Sequence, residues 1–171
     1  MNTEILARGL IPGPSVDEIL ADTDTSHFRS LIDNDKALQL FEYWCRLLHY
    51  HGLALKPAFD PLEVPALLPS IYIEEWDPEA QQSRMRLMGE DLKARWDEEV
   101  IGLRTDDYVK GDVNALWKRS DQVVYFEKRT AILAYSMEYL DRAHCTLIDL
   151  TLPMNDDKGN RFAIGYIWEL A

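Results

Sequence analysis

The segment between residues 57 and 69 most constrains how this chain can fold, because a proline recurs there at every fourth position. The four prolines are Pro57, Pro61, Pro65 and Pro69. Proline lacks a backbone N–H donor and disfavours a helix in the residue before it, so we predict an ordered, mostly extended connector with room for one helical turn at residues 63–67. Two short strands are expected directly after it, at residues 70–76 and 83–89, with a polar turn between them. The first half of the chain therefore predicts an antiparallel ribbon.

A helix is predicted before this connector, at residues 34–51. Asp33, Asn34 or Asp35 can accept backbone N–H bonds at its start, and Gly52 can supply a left-handed stop. Its apolar stripe is wide, with Leu38, Phe41, Cys45 and Leu48 flanked by Leu40, Trp44 and Leu47. A stripe of this width needs more than one neighbour, such as a sheet together with another helix or a second subunit. We therefore predict a homodimer through this helix, with Leu40, Trp44 and Leu47 as candidate residues of the interface.

The second half of the chain predicts helices followed by three long strands. Short helical pieces are expected at residues 90–108, and a longer helix is expected to begin at Asp112 and end near Phe126. The strands are expected at residues 128–139, 144–152 and 161–170. In the last strand one face is strongly apolar and the other only weakly polar, which indicates that both faces of the sheet are covered. The fold class is therefore α+β.

We expect one domain preceded by an extension. Residues 1–33 contain the break Pro12-Gly13-Pro14 and an excess of acidic residues, and we predict that they form a partly irregular leader that packs loosely. Within it, Val16, Ile19 and Leu20 can form a short helix after Ser15. Residues 34–171 are predicted to form the domain. The 171-residue length and the 47% hydrophobic content suit a single globular core.

The charge of the chain excludes some classes of partner. A net charge of −12 and an isoelectric point near 4.7 disfavour binding to nucleic acid and to anionic membrane surfaces. The sequence shows no apolar stretch of about 20 residues and no secretory signal, so we expect no membrane span and a cytoplasmic location. Cys45 and Cys145 are expected to be reduced.

Five short motifs occur in order between residues 43 and 154. They are Tyr43-Trp44, Pro57 with Asp60-Pro61, Leu67-Leu68-Pro69, Arg86-Leu87-Met88-Gly89 and Leu152-Pro153-Met154. Together with the order of elements, they resemble a bacterial PAS-like family. The chain departs from the pattern at Glu98, near a position where relatives often carry glycine.

The resemblance implies an architecture and a role. The architecture is a five-stranded antiparallel sheet of spatial order 2-1-5-4-3, with helices packed on one face and an N-terminal helix flanking the sheet. The implied role is that of a stand-alone sensory or protein-interaction module in bacterial signal transduction, without enzymatic activity. Such a module would act on a signalling protein in trans, form a homodimer, and be able to bind a small metabolite.

Aromatic residues are the candidates for binding such a metabolite. Trp96 and Trp117 fall on predicted helices, and Tyr135 and Tyr166 fall on central strands, where PAS-like domains hold ligands. Aromatic residues at helical or strand spacing are also common core residues, so the two interpretations stay open. Carboxylates at Asp149 and Glu74 lie on predicted strands, and we assign them no catalytic role because lone strand carboxylates are usually paired or solvated.

No cofactor or metal is predicted. Haem needs an axial ligand, but the histidines either precede the predicted sheet or, as with His144, begin a strand near a turn. Flavin photochemistry in PAS domains needs a cysteine on a helix, whereas Cys145 falls on a predicted strand. Two alternatives remain: a small enzyme or ligand carrier of the cone-shaped α+β type with an inward carboxylate such as Asp149, and a haem- or flavin-binding sensor.

Overall fold

A computed structural model describes residues 3–52, 58–96 and 99–170. Pro57 of the proline connector and Glu98, where the chain departs from the PAS-like pattern, lie outside these ranges. The described helices are α1 (Thr3–Arg8), α2 (Val16–Leu20), α3 (Ser26–Leu31), α4 (Asp35–His51), α5 (Glu90–Lys93), α6 (Thr105–Tyr108) and α7 (Gly111–Asp121). The strands are β1 (Leu10–Ser15), β2 (Ile71–Asp77), β3 (Gln82–Met88), β4 (Arg129–Met137), β5 (Arg142–Asn155) and β6 (Arg161–Glu169). The predicted α+β class is confirmed.

The sheet corrects the predicted strand count and order. Six antiparallel strands lie in the order β1-β4-β5-β6-β2-β3, whereas five strands in the order 2-1-5-4-3 were expected. The difference arises because Leu10–Ser15 pairs with β4 and adds an edge strand. Strands β2 and β3 join the same sheet through the pairing of β2 with β6, which places the ribbon after the proline segment beside the three long strands.

Residues 3–31 pack closely, contrary to the expected loose leader. Besides β1 they form α1, α2 and α3, and Ile5, Ile11 and Phe28 are buried. Prolines at positions 12 and 14 lack the N–H donors that an added strand would need, so they suit an edge strand. The short helix expected after Ser15 is present as α2. The expectation of loose packing was wrong because the pairing of β1 with β4 joins residues far apart in the chain and has no local signal.

Helix α4 begins and ends as predicted. The Asn34 side chain accepts hydrogen bonds from the N–H groups of Lys36 and Ala37, and Gly52 adopts the left-handed conformation at the other end. The wide stripe has two neighbours within the same chain, the sheet and the N-terminal segment. Leu40, Trp44 and Leu47 are therefore buried in the monomer and are not free to contact a second subunit.

The proline connector is helical rather than mostly extended. Pro61–Glu63 and Pro65–Ser70 form two short 3₁₀ helices. Proline at the first position of a helical turn costs no hydrogen bond, because the N–H group there has no intrahelical partner in any case. The Asp60 side chain accepts a hydrogen bond from the N–H of Leu62 and caps the first turn.

The sequence motifs contact one another in pairs. The Tyr43 hydroxyl accepts a hydrogen bond from the Asp60 N–H at 3.0 Å. The Trp44 indole donates one to the Pro153 carbonyl at 2.8 Å. Gly89 lies so close to the carbonyls of Leu68 and Pro69 that a Cβ atom would not fit. The motifs thus join α4, the connector, and the ends of β3 and β5.

Helix α7 starts at Gly111 with Lys110 as its N-cap, not at Asp112 as predicted, and it continues into a π-helical turn at Gln122–Phe126. Helices α5 to α7 cover the face of the sheet opposite to α4, and each face has its own apolar core. Among the described helices, none is both long enough and apolar enough to cross a lipid bilayer.

Candidate functional site

The face of the sheet beneath α5 to α7 carries a cluster of buried polar side chains. Alternation along each strand directs Tyr72 and Glu74 of β2 and Asp149 and Thr151 of β5 to this face, while their neighbours Ile71, Ile73, Ile148 and Leu150 face α4. All four polar side chains are buried. We call the set formed by Tyr72, Glu74, Asp149 and Thr151, with Asp121 of α7, the buried acid cluster.

Asp149 is held by hydroxyl groups. The Tyr72 hydroxyl donates a hydrogen bond to Asp149 Oδ1 at 2.9 Å and lies 2.9 Å from Thr151 Oγ1. The Tyr72 ring reaches β5 by crossing over β6 at Gly165, where a Cβ atom would lie 2.1 Å from the ring. A side chain at this position would separate Tyr72 from Asp149, so the glycine is a requirement of the cluster.

Glu74 is held by groups from the helical layer. The hydroxyls of Tyr108 and Tyr125 donate to its two carboxylate oxygens, each at 3.4 Å. Tyr125 belongs to the π-helical turn, so Glu74 connects the sheet to that turn. Wide turns of this kind occur often at functional sites in helices.

Burial raises the pKa values of the three carboxyls in the cluster. The pKa of Glu74 rises to about 7, mainly because the charged form would be desolvated. The pKa values of Asp121 and Asp149 rise to about 8, mainly through burial and further through the charge of Glu74. The Tyr72 hydroxyl opposes this shift at Asp149 by stabilising the carboxylate. At neutral pH the two aspartates are therefore mostly protonated.

Three of the four predicted aromatic residues lie together. The rings of Trp96, Tyr108, Trp117 and Tyr135 form a row with centroids 5.8 to 6.3 Å apart. Within the described residues, the Nε1 atoms of Trp96 and Trp117 are buried and contact no acceptor. Tyr166 lies instead on the opposite face of the sheet, in the core with α4.

An open cavity of about 630 Å³ lies between α7 and β4. Its apolar wall is formed by Val113, Leu116 and Tyr135, and Gly9 lies at another side. Its charged residues are Lys110, Asp112, Arg119 and Glu138. Tyr135 lines this cavity and is also the diagonal cross-strand neighbour of Asp149, because Asp149 pairs with Leu133 and Tyr135 pairs with Leu147. Its hydroxyl lowers the pKa of the Asp149 carboxyl. Tyr135 therefore connects the cavity to the buried acid cluster. Of the predicted aromatic residues, Trp96, Trp117 and Tyr166 do not line it.

The arrangement does not expose the acids to a substrate. Asp149 is 2% exposed and is absent from the cavity wall, so a molecule in the cavity would meet Tyr135 before any carboxyl of the cluster. Burial raises the pKa of Cys45 to about 11, which makes its thiol a poor nucleophile. Across the described ranges, no three His, Cys, Asp or Glu side chains converge to hold a metal ion.

Most of the cluster was not predicted from the sequence. Asp149 and Glu74 were recognised as strand carboxylates but were not placed on one face with Tyr72 and Thr151. The alternation in β2 indicated this arrangement, because Tyr72 and Glu74 are two residues apart and alternate with the apolar Ile71 and Ile73. Asp121 also carried a signal, because it lies four residues after Trp117 and four before Tyr125.

We predict that the protein loses stability as the pH rises from about 5 to about 8.5. The unfolded chain releases the three carboxyl protons near pH 4, whereas the folded chain holds them until pH 7 to 8. The folded state therefore binds more protons in this window, and its free energy of unfolding falls as pH rises, by about 1.4 kcal/mol per pH unit for each carboxyl that stays protonated only in the folded state. Urea unfolding at pH 5.5 and pH 8.5 measures this change.

Two substitutions assign the effect to the cluster. Glu74→Gln and Asp149→Asn each remove one titrating group and should reduce the pH dependence, whereas the exposed Glu79→Gln should preserve it. A wild-type stability that stays constant or rises between pH 5.5 and 8.5 would contradict the assignment. The carboxyl of Asp77, whose pKa is lowered to about 2 mainly by a backbone hydrogen bond from Ala80, acts in the opposite direction but only below about pH 4.

Comparisons with known proteins identify no relative: no family model, no curated protein and no solved structure matches the chain.

Proposed function

We propose that this chain is a stand-alone PAS-like sensory module of bacterial signal transduction, which binds a small metabolite and acts on a signalling protein in trans without catalysing a reaction. The observation that carries the proposal is the buried acid cluster beneath the helical layer, connected to an open cavity by Tyr135. Three carboxyls buried in this way cost folding free energy, and proteins retain such groups mainly where a function depends on them.

The fold supports the PAS-like part of the proposal. Strands β3, β2, β6, β5 and β4 follow one another in the sheet as the strands of a PAS domain do, and β1 extends this set beside β4. Helices α5 to α7 cover the face on which PAS-like domains hold ligands. The three pairs of motif contacts give a structural reason for each motif, since they fasten α4 and the connector to the sheet.

A sensory mechanism follows from the hydrogen bonds of the cluster. A ligand that displaces Tyr135 would change the surroundings of Asp149, whose pKa is raised in part by the charge of Glu74. Glu74 contacts Tyr125 in the π-helical turn, whose position depends on that hydrogen bond. Ligand binding would thus shift the population between two arrangements of the helical layer on the sheet.

Native mass spectrometry combined with hydrogen exchange tests the proposal. Protein freshly purified from its host should carry a small organic adduct that is released on unfolding. Removal of the adduct should increase amide exchange in Gln122–Phe126 by about tenfold or more, while exchange in β6 should stay unchanged. A protein that carries no adduct and is not stabilised by any member of a metabolite library would refute the ligand-binding role.

A small enzyme of the cone-shaped α+β type is the second candidate, because Asp149 is buried beside polar partners with a raised pKa. It requires Asp149 to reach a substrate, and Asp149 does not line the cavity. The same library separates the two candidates. Consumption of a metabolite by the wild type, but not by Asp149→Asn, would favour the enzyme over the sensor.

A further inference from the structure

The charged residues around the open cavity between α7 and β4 have few partners. Lys110 donates a hydrogen bond to the backbone carbonyl of Asp106. Within the described part of the chain, the side chains of Arg119, Asp112 and Glu138 make no ion pair or hydrogen bond. One cation and two anions thus face the same open space without pairing with one another.

The unpaired cation Arg119 and the acid Asp112 lie at opposite ends of α7. Asp112 lies in the first turn of α7 and Arg119 in the last, and seven residues of helix place their Cα atoms about 10 Å apart. Val113 and Leu116 lie between them on the cavity wall. Along α7 the cavity therefore presents Arg119, an apolar surface and then Asp112, beside which the Lys110 ammonium is held by the Asp106 carbonyl.

We propose that this cavity binds a free amino acid with an apolar side chain. The carboxylate pairs with the Arg119 guanidinium, which can hold it through two parallel hydrogen bonds. The ammonium group pairs with Asp112 and Glu138, and the side chain packs on Leu116 and the Tyr135 ring. The inference names the ligand class of the proposed sensory module and rests on that proposed function.

The charge of the whole protein favours a zwitterion over other small ligands. With a net charge of −12, the protein repels anionic metabolites, and the cavity does not compensate for this because its two cations, Lys110 and Arg119, are matched by two acids. A purely cationic ligand would leave Arg119 without a partner and would place a second positive charge near it. A zwitterion has no net charge and satisfies both signs, and a cavity of about 630 Å³ lies within the range of small-molecule sites.

Isothermal titration of the full chain with L-leucine and L-phenylalanine at pH 7 tests the inference. Two analogues isolate the charges: 4-methylpentanoate lacks the ammonium group, and isopentylamine lacks the carboxylate. At least one of the amino acids should bind, and both analogues should bind at least about tenfold more weakly. Failure of both amino acids to bind, or equal binding of the analogues, would overturn the inference.

Substitutions locate the binding site. Arg119→Gln should weaken amino-acid binding by about tenfold or more, and Glu138→Gln should weaken it to a smaller degree. Both residues are exposed, so neither change should alter folding, which thermal unfolding checks. Arg46→Gln, an exposed arginine of α4 on the opposite side of the sheet, is the matched control and should retain wild-type affinity. Unchanged affinity in Arg119→Gln would overturn the assignment of the site.

The amino-acid inference and the sensory proposal can fail separately. If a metabolite of another class produces the adduct and the exchange change in Gln122–Phe126, the sensor stands and the amino-acid inference is overturned. If leucine or phenylalanine binds through Arg119 but leaves exchange in Gln122–Phe126 unchanged, the binding site stands and the sensory role is refuted.

Discussion

Replacement of Gly89 with alanine should destabilise the protein by about 4 kcal/mol, the largest effect that we expect from a single methyl group. An alanine Cβ would lie 2.2 Å from the Leu68 carbonyl oxygen and 2.3 Å from that of Pro69. These are backbone atoms of a 3₁₀ helix, so they cannot move aside as a flexible side chain would. The Gly89 N–H also donates to the Ile71 carbonyl at 2.8 Å, which holds the glycine in place.

Urea and thermal unfolding measure the loss, and about 4 kcal/mol corresponds to a decrease of roughly 10 °C in Tm for a chain of this size. Gly102→Ala is the matched control. Gly102 has a φ of 89°, and an alanine Cβ there would have no atom within 4 Å, so the substitution adds only backbone strain of about 1 kcal/mol. Equal losses in the two variants would show that the contact between Gly89 and the connector is not tight.

Replacement of Gly165 with alanine should cost about 3 kcal/mol and should also disrupt the buried acid cluster. The new methyl group would lie 2.1 Å from Tyr72 Cζ and 2.4 Å from its hydroxyl oxygen. Tyr72 is buried, so its ring can move only by giving up its contacts with Asp149 and Thr151. The loss combines overpacking with the cost of leaving a buried carboxyl without its partner.

Two variants separate these contributions. Tyr72→Phe removes the hydroxyl and keeps the ring, so it should cost about 1 to 2 kcal/mol. Gly159→Ala, in the turn before β6, has no atom within 4 Å and should cost about 1 kcal/mol through its positive φ alone. The interpretation fails if Gly165→Ala is no more destabilising than Gly159→Ala in urea unfolding.

The elements that could be predicted from the sequence are those governed by nearby residues. Asn34 and Gly52 mark the ends of α4 because capping hydrogen bonds and the left-handed stop involve only residues a few positions away. The strands β4, β5 and β6 were recognised from alternation, which depends on backbone geometry alone. The same alternation places Tyr166 and Tyr135 on opposite faces of the sheet. The sequence does not show which helices cover each face, so this difference could not be applied to the choice of ligand-binding residues.

The sequence did not indicate which elements pack against each other. The stripe of α4 correctly indicated two neighbours, yet the second neighbour is the segment containing Ile19 and Phe28 and not another subunit. A stripe records how much surface must be covered and carries no information about what covers it. For the same reason, the N-terminal residues were expected to pack loosely, although β1 completes one edge of the sheet.

Short-range physics thus specified the class of fold, the limits of α4 and the strand alternation from the amino-acid order alone. The buried acid cluster and the cavity arise only when Tyr72 crosses β6 at Gly165 and when α7 lies over β4, since these contacts join residues far apart in the chain. The pKa values of the cluster depend on the water excluded by all surrounding elements together. Burial is a property of the assembled layers, so no local pattern encodes it.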